Sequence, residues 1–120
     1  MPISAKYLFI VSMDVEPEKE ALFNEVYDEE HVPFLMKVPG VISVTRAVAA
    51  PLTLSLAGEL QTIAIEGDPK HTAIYEIDSP AVLISPEWAE AVEAGRWGSE
   101  VRPYCSNRSH VLRKVTTSTS

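Results

Sequence analysis

The chain has 120 residues with a single cysteine; 46% are hydrophobic and 22% charged. That length predicts one domain over residues 1–120, and that balance argues against a disordered chain. The formal net charge of −7 argues against nucleic acid as a partner, because no broad basic face offsets repulsion by phosphates.

The charge is unevenly placed. Eight acids and one base, Lys19, lie between Asp14 and Glu30, so that stretch carries the whole −7. From Arg96 to Lys114 five bases meet one acid, Glu100. This basic segment would neutralise an acidic helix of the same subunit or of a neighbour. Cys105 alone forms neither an internal disulfide nor a thiolate metal site, which suits a reducing compartment and predicts a cytoplasmic protein. The apolar run over 7–13 is too short to span a bilayer and has no small-residue cleavage site after it, so no membrane is expected.

Residues 6–14 read as a first strand. Tyr7, Phe9, Val11 and Met13 fall on one face, Leu8, Ile10 and Ser12 on the other, so both faces want cover. Pro17 then marks a helix start, with Glu16, Glu18 and Glu20 near its positive end. Leu22, Phe23, Val26, Tyr27, Glu30 and His31 recur at spacings of three and four, which predicts one inward stripe. The stripe begins apolar and ends polar. Pro33 is expected to stop the helix, and Phe34, Leu35 and Met36 to form an apolar turn before Pro39-Gly40.

Residues 41–48 read as a second strand in which Arg46 interrupts an apolar face. Residues 51–67 read as an inserted hairpin, with a short helix as the alternative. Residues 71–78 form another strand, and Ser79-Pro80 and Ser85-Pro86 each look like helix starts, with a stop at Gly95. Residues 96–107 are expected to be irregular, 109–115 to be a last strand, and 116–120 to be a frayed tail.

Strand, helix, strand, strand, helix, strand is the split β-α-β order of an α+β, ferredoxin-like βαββαβ fold: a four-stranded antiparallel sheet with both helices on one face. The other face then needs a cover, which predicts a homodimer.

With that architecture reached, Asn24-Glu25-Val26-Tyr27-Asp28-Glu29-Glu30-His31-Val32-Pro33, then Lys37-Val38-Pro39-Gly40-Val41 and Arg46, resembles the EthD-like group of the dimeric α+β barrel superfamily. There a Tyr-x-x-x-His-x-Pro helix end leads through a Val-Pro-Gly turn into a strand carrying an arginine. Tyr75 to Pro80, Ser85-Pro86, Trp97 and Arg102-Pro103 are similar too. Val26 departs from the group, where a tryptophan often precedes the tyrosine. The resemblance implies a dimeric barrel that handles small, often aromatic molecules; the superfamily holds cofactor-free isomerases, cyclases, dehydratases and monooxygenases.

The candidate catalytic residues are His31, Glu30 and Arg46. An imidazole in the inward stripe could carry a proton near neutral pH, and capping the helix end within the core is an equally good reading. Glu30 would orient His31 or raise its pKa. Arg46 would hold a substrate oxygen or pair with an acid, the second being the preferred reading. Tyr27, Phe23, Tyr75 and Trp88 are the candidate substrate-binding residues, and each would also serve as packing. His71 and His110 read as structural. No spacing supports a metal site, and no cofactor is expected. The functional expectation is a small hydrophobic or aromatic ligand, with His31 as acid or base if the protein is an enzyme. The alternative is a non-catalytic ligand-binding or dimerisation module in which His31 is structural.

Overall fold

The computed structural model describes residues 3–120, so the first two residues of the domain expected over 1–120 lie outside the described residues. In chain order the elements are β1 (Tyr7–Val15), α1 (Glu20–Val26), α2 (Val32–Met36), β2 (Val41–Val48), β3 (Leu52–Leu56), β4 (Glu59–Ile63), β5 (His71–Ile77), α3 (Pro86–Glu93) and β6 (Cys105–Lys114). Four strands form one sheet in the order β2-β5-β1-β6, each neighbouring pair antiparallel. Leaving out β3 and β4, this is the ferredoxin-like strand order.

Alternation decides the faces. On β5, His71, Ala73, Tyr75 and Ile77 are buried, whereas Thr72, Ile74 and Glu76 between them are only half-buried. Val11 and Met13 of β1 stand opposite Ala73 and His71 and share the buried face. Phe23, Val26, Tyr27 and Leu35 of the first helical segment pack onto that face, with Val82, Trp97 and Val101 closing the core. The opposite face presents Leu8, Ile10, Ile74 and Val111, all half-buried.

The first helical segment does not end at Pro33. Tyr27–His31 is a single π turn, closed by the Val32 N–H to the Tyr27 carbonyl, and the chain continues through Pro33 as α2. The π turn already interrupts the α-helical pattern, so Pro33 falls in a new first turn, where a missing N–H costs little. Gly40 ends the turn at a φ of +93°, where a Cβ would collide with Val82.

The 51–67 insertion folds as a hairpin rather than a helix. β3 pairs with β4 across Ala57-Gly58, whose φ angles of 54° and 82° suit the tight two-residue turn that strand twist favours. Among the described residues it pairs with no other strand, and Leu52, Leu56, Leu60 and Ile63 remain exposed, Leu60 at 79%. The radius of gyration of 16.0 Å exceeds the roughly 14 Å expected for a compact chain of this length.

Both serine-proline starts are as expected. The Ser79 Oγ accepts from the Ala81 N–H at the head of a 3-10 turn, and the Ser85 Oγ accepts from the Trp88 N–H at the head of α3. Residues 97–104 are not irregular: a second π turn, Trp97–Val101, runs into a 3-10 turn, Arg102–Tyr104. β6 then starts at Cys105, four residues before the expected strand, and is bulged: Ser12 pairs with Ser109 but Asp14 with Ser106. Asn107 sits in the bulge at a φ of 52° and its amide donates to Asp14 and to the Gly67 carbonyl. Residues 116–120 have no regular structure. Among the described residues no helix is long and apolar enough to cross a membrane.

Candidate functional site

A cavity of about 160 Å3 opens between the sheet, the first helical segment and α3. Phe9, Tyr75, Trp88 and Trp97 give it aromatic walls, Tyr27 and His31 line it from the helix, and the exposed Arg108 and His110 of β6 stand at its rim. Arg108 and His110 fall on this side of the sheet by alternation: His110 pairs with Val11 of the buried face, and Arg108 stands two residues before it, beside the bulge.

His31 is 5% exposed. Its ring stacks on Trp97 at 4.4 Å and meets Tyr27 edge-on at 5.0 Å. Its Nδ1 is buried and has no hydrogen-bond partner, an uncommon state for a buried nitrogen. Burial lowers its pKa to about 4, helped by the positive charge of Arg102 and opposed by Glu93. The imidazole is therefore neutral at pH 7.

The Tyr27 and Tyr75 hydroxyls lie 3.0 Å apart. Burial raises the pKa of both phenols, so both keep their protons. One proton is used between them, and the other is free to point elsewhere. Trp88 packs edge-on against Tyr75 and Phe9. His31, Tyr27, Tyr75 and Trp88 thus line one cavity.

Glu30, expected beside His31, stands elsewhere. Glu30 accepts from the Arg96 N–H at 2.9 Å and from Arg96 Nε at 2.5 Å, and these bonds hold its carboxyl below the usual range. A π turn winds less per residue than an α turn, so Glu30 drops out of the row begun by Leu22 and Val26 and ends at the helix edge. Its partner loop needs Gly95, at φ +71°, because a Cβ there would collide with the Glu30 carboxylate. Glu30 therefore pins the loop that presents Trp97 to His31.

Arg46 lies on the far side of Tyr27. It donates to Asp28 at 2.7 Å and to Asn24 at 2.9 Å, and its guanidinium lies over the Tyr27 and Phe23 rings at 4.8 and 5.4 Å. It also faces His71 Nδ1 at 3.5 Å, while His71 Nε2 meets Glu20 at 2.9 Å. Because a guanidinium only donates, Nδ1 accepts and the Nε2 proton goes to Glu20. Phe23 is fully buried, and the crevice it shares with Arg46 and His71 has no room for a water.

Four residues around the cavity lie outside the candidate set read from the sequence. Trp97 reads there as a pocket wall or a dimer contact, Arg102 as part of the Arg102-Pro103 resemblance and of a basic segment, and Arg108 as a member of that segment. His110 was read as structural. Trp97 and Arg102 reach the cavity through the second π turn and the 3-10 turn after it, which have no periodic signature, whereas Arg108 and His110 follow the alternation of β6. Among the described residues no group of three or more His, Cys, Asp or Glu is placed to hold a metal.

No family model matches this chain, and no curated protein matches it in sequence. Solved structures do match. An EthD family protein from Bacillus halodurans superposes at a TM-score of 0.55 and 13% identity, covering 92% of this chain and 99% of that one. The heme-degrader MhuD from Mycobacterium tuberculosis, with two hemes bound in its active site, gives 0.57 at 12% identity, covering 95% and 99%. An antibiotic biosynthesis monooxygenase gives 0.52 at 15% identity, covering 92% and 99%. The chain shares their ferredoxin-like α+β fold. At these identities the likeness is one of fold, and the cavity residues speak for themselves.

Proposed function

We propose that the protein binds a small aromatic or hydrophobic molecule in the cavity beside His31 and moves a proton on it, as a cofactor-free isomerase, dehydratase, cyclase or monooxygenase would. The observation that carries this reading is the His31 imidazole: buried, neutral at pH 7, unpartnered at Nδ1 and lining an aromatic cavity. A neutral imidazole is in the form that accepts a proton, so His31 acts first as base and then returns the proton as acid. The oxygen that gains charge when the substrate loses its proton would take the free hydroxyl proton of the Tyr27–Tyr75 pair. Trp88, with Trp97, supplies the apolar wall.

Size narrows the ligand. Drug-sized ligands occupy roughly 300–1,000 Å3, and an engineered apolar cavity of about 150 Å3 holds one benzene ring. At about 160 Å3 the site suits one ring. A tetrapyrrole such as the heme named for MhuD, four rings across, is much larger than this cavity.

The same reading includes a homodimer. The face with Leu8, Ile10, Ile74 and Val111 has no helix over it, and a second copy would bury it along with the exposed leucines of the hairpin. An isolated two-stranded hairpin is marginal in water, which favours a partner. Light scattering should give twice the chain mass, and Ile10→Glu should halve it; a wild-type monomer would remove this part.

Single-ring probes such as phenol and benzamide test the pocket through quenching of Trp88 and Trp97 fluorescence. On a substrate found this way, His31→Gln is expected to cost at least about a hundredfold in turnover. Turnover near normal would remove His31 from the chemistry and leave a binding module.

A further inference from the structure

Resting on that reading of the pocket, we infer that the natural ligand carries a carboxylate, and that Arg108 at the rim is the group that recognises it. The first reason is the composition of the lining. The chain has 17 acids against 10 lysines and arginines, yet the cavity is lined by two arginines, two histidines and no acid. A surface drawn from this chain without regard to function would be acidic. This one is inverted.

The two arginines are not equivalent. Arg102 is held by Glu93 in a two-pronged pair, both contacts at 2.8 Å, so its charge is largely met. Arg108 has no acid within ion-pair distance among the described residues. It is nonetheless held in place, because its Nη2 donates to the Arg102 carbonyl at 2.8 Å. That bond fixes the guanidinium at the rim and leaves its other N–H groups for a planar, two-oxygen acceptor, the geometry that arginine matches best.

The walls determine the rest of the ligand. With Trp88, Trp97, Tyr75 and Phe9 around a one-ring space, the ring enters and the carboxylate stays at the rim near Arg108. The class is a one-ring aromatic or unsaturated cyclic monocarboxylate. In this orientation the end of the ring away from the carboxylate lies toward His31 and the tyrosine pair.

Benzoate and benzamide test this, since they share shape and differ in charge. Titrations followed by tryptophan fluorescence at pH 7 and low salt should show benzoate binding at least about fivefold tighter, a gap that narrows in high salt. Arg108→Gln should abolish the preference with benzamide affinity unchanged, and Arg108→Lys should restore part of it; thermal melts check that both variants fold. Equal affinity for the two probes would overturn the inference while leaving the pocket reading intact. So would a benzoate preference that survives Arg108→Gln. Failure of both probes to bind would overturn the inference and the pocket reading together.

Discussion

His31 and His71 are buried alike, at 5% and 4% exposure, and both touch the aromatic column of Phe23, Tyr27 and Trp97. Their surroundings differ completely. His71 has a partner at each ring nitrogen, Arg46 and Glu20, in a crevice with no free volume. His31 has a tryptophan on its face, an unpartnered Nδ1 and a cavity beside it. Full pairing rigidifies a structure, whereas a buried nitrogen left unpaired costs stability and persists where something outside packing requires it. Against the same face of one sheet the structure thus sets a fully paired histidine and an unpaired one, divided by Tyr27.

The contrast can be broken from either side. The largest effect is expected for Trp97→Ala, which removes the stack on His31 and enlarges the cavity; urea unfolding should show a loss of about 3–5 kcal/mol. A loss under about 1 kcal/mol would mean that the loop pinned by Glu30 does not hold Trp97 against His31.

The pH response comes next. The His31 pKa is lower folded, about 4, than unfolded, about 6.5. The unfolded chain thus takes up the proton first as pH falls, so this group's contribution is intact above about 6.5 and lost on the way down to 4, to the extent of about 3 kcal/mol. His31→Phe keeps the stack and removes the titration. At pH 7 the variant should equal or exceed the wild type by about 1 kcal/mol, and its stability should fall less between pH 7 and 4. Parallel curves would contradict a neutral, buried His31.

The smallest change tests the paired side. His71→Ala leaves Arg46 and Glu20 without their common partner and should cost about 2 kcal/mol, with benzamide affinity unchanged. A variant that lost ligand binding would join the two regions that the structure separates.

The sequence was most informative where the pattern is periodic. The alternation of β5, the serine-proline caps and the stripe from Leu22 to Tyr27 lead directly to the ferredoxin-like order and the buried sheet face. His31, Tyr27, Tyr75 and Trp88 are adjacent in space because they follow those periods. Glu30 departs from expectation for a local reason, because the π turn breaks the spacing that would have carried it inward; Arg46 pairs with an acid, as the preferred reading has it, and that acid is Asp28. Pro33 was a signal of that turn, open to reading as a plain stop. Arg108 stands out in the sequence only as charge, and Arg102 as charge and as part of Arg102-Pro103; the direction of Arg102 follows a π turn that no residue pattern announces.

The central claim is that His31 is neutral and reachable by a ligand while His71 is locked in its pairs. Nuclear magnetic resonance of 15N-labelled imidazoles at pH 7, recorded with and without saturating benzamide, tests both halves at once. His31 should appear neutral and its ring nitrogens should shift on addition of the probe, while those of His71 stay in place. A charged His31, or a probe that shifts His71 and leaves His31 unmoved, would contradict the account.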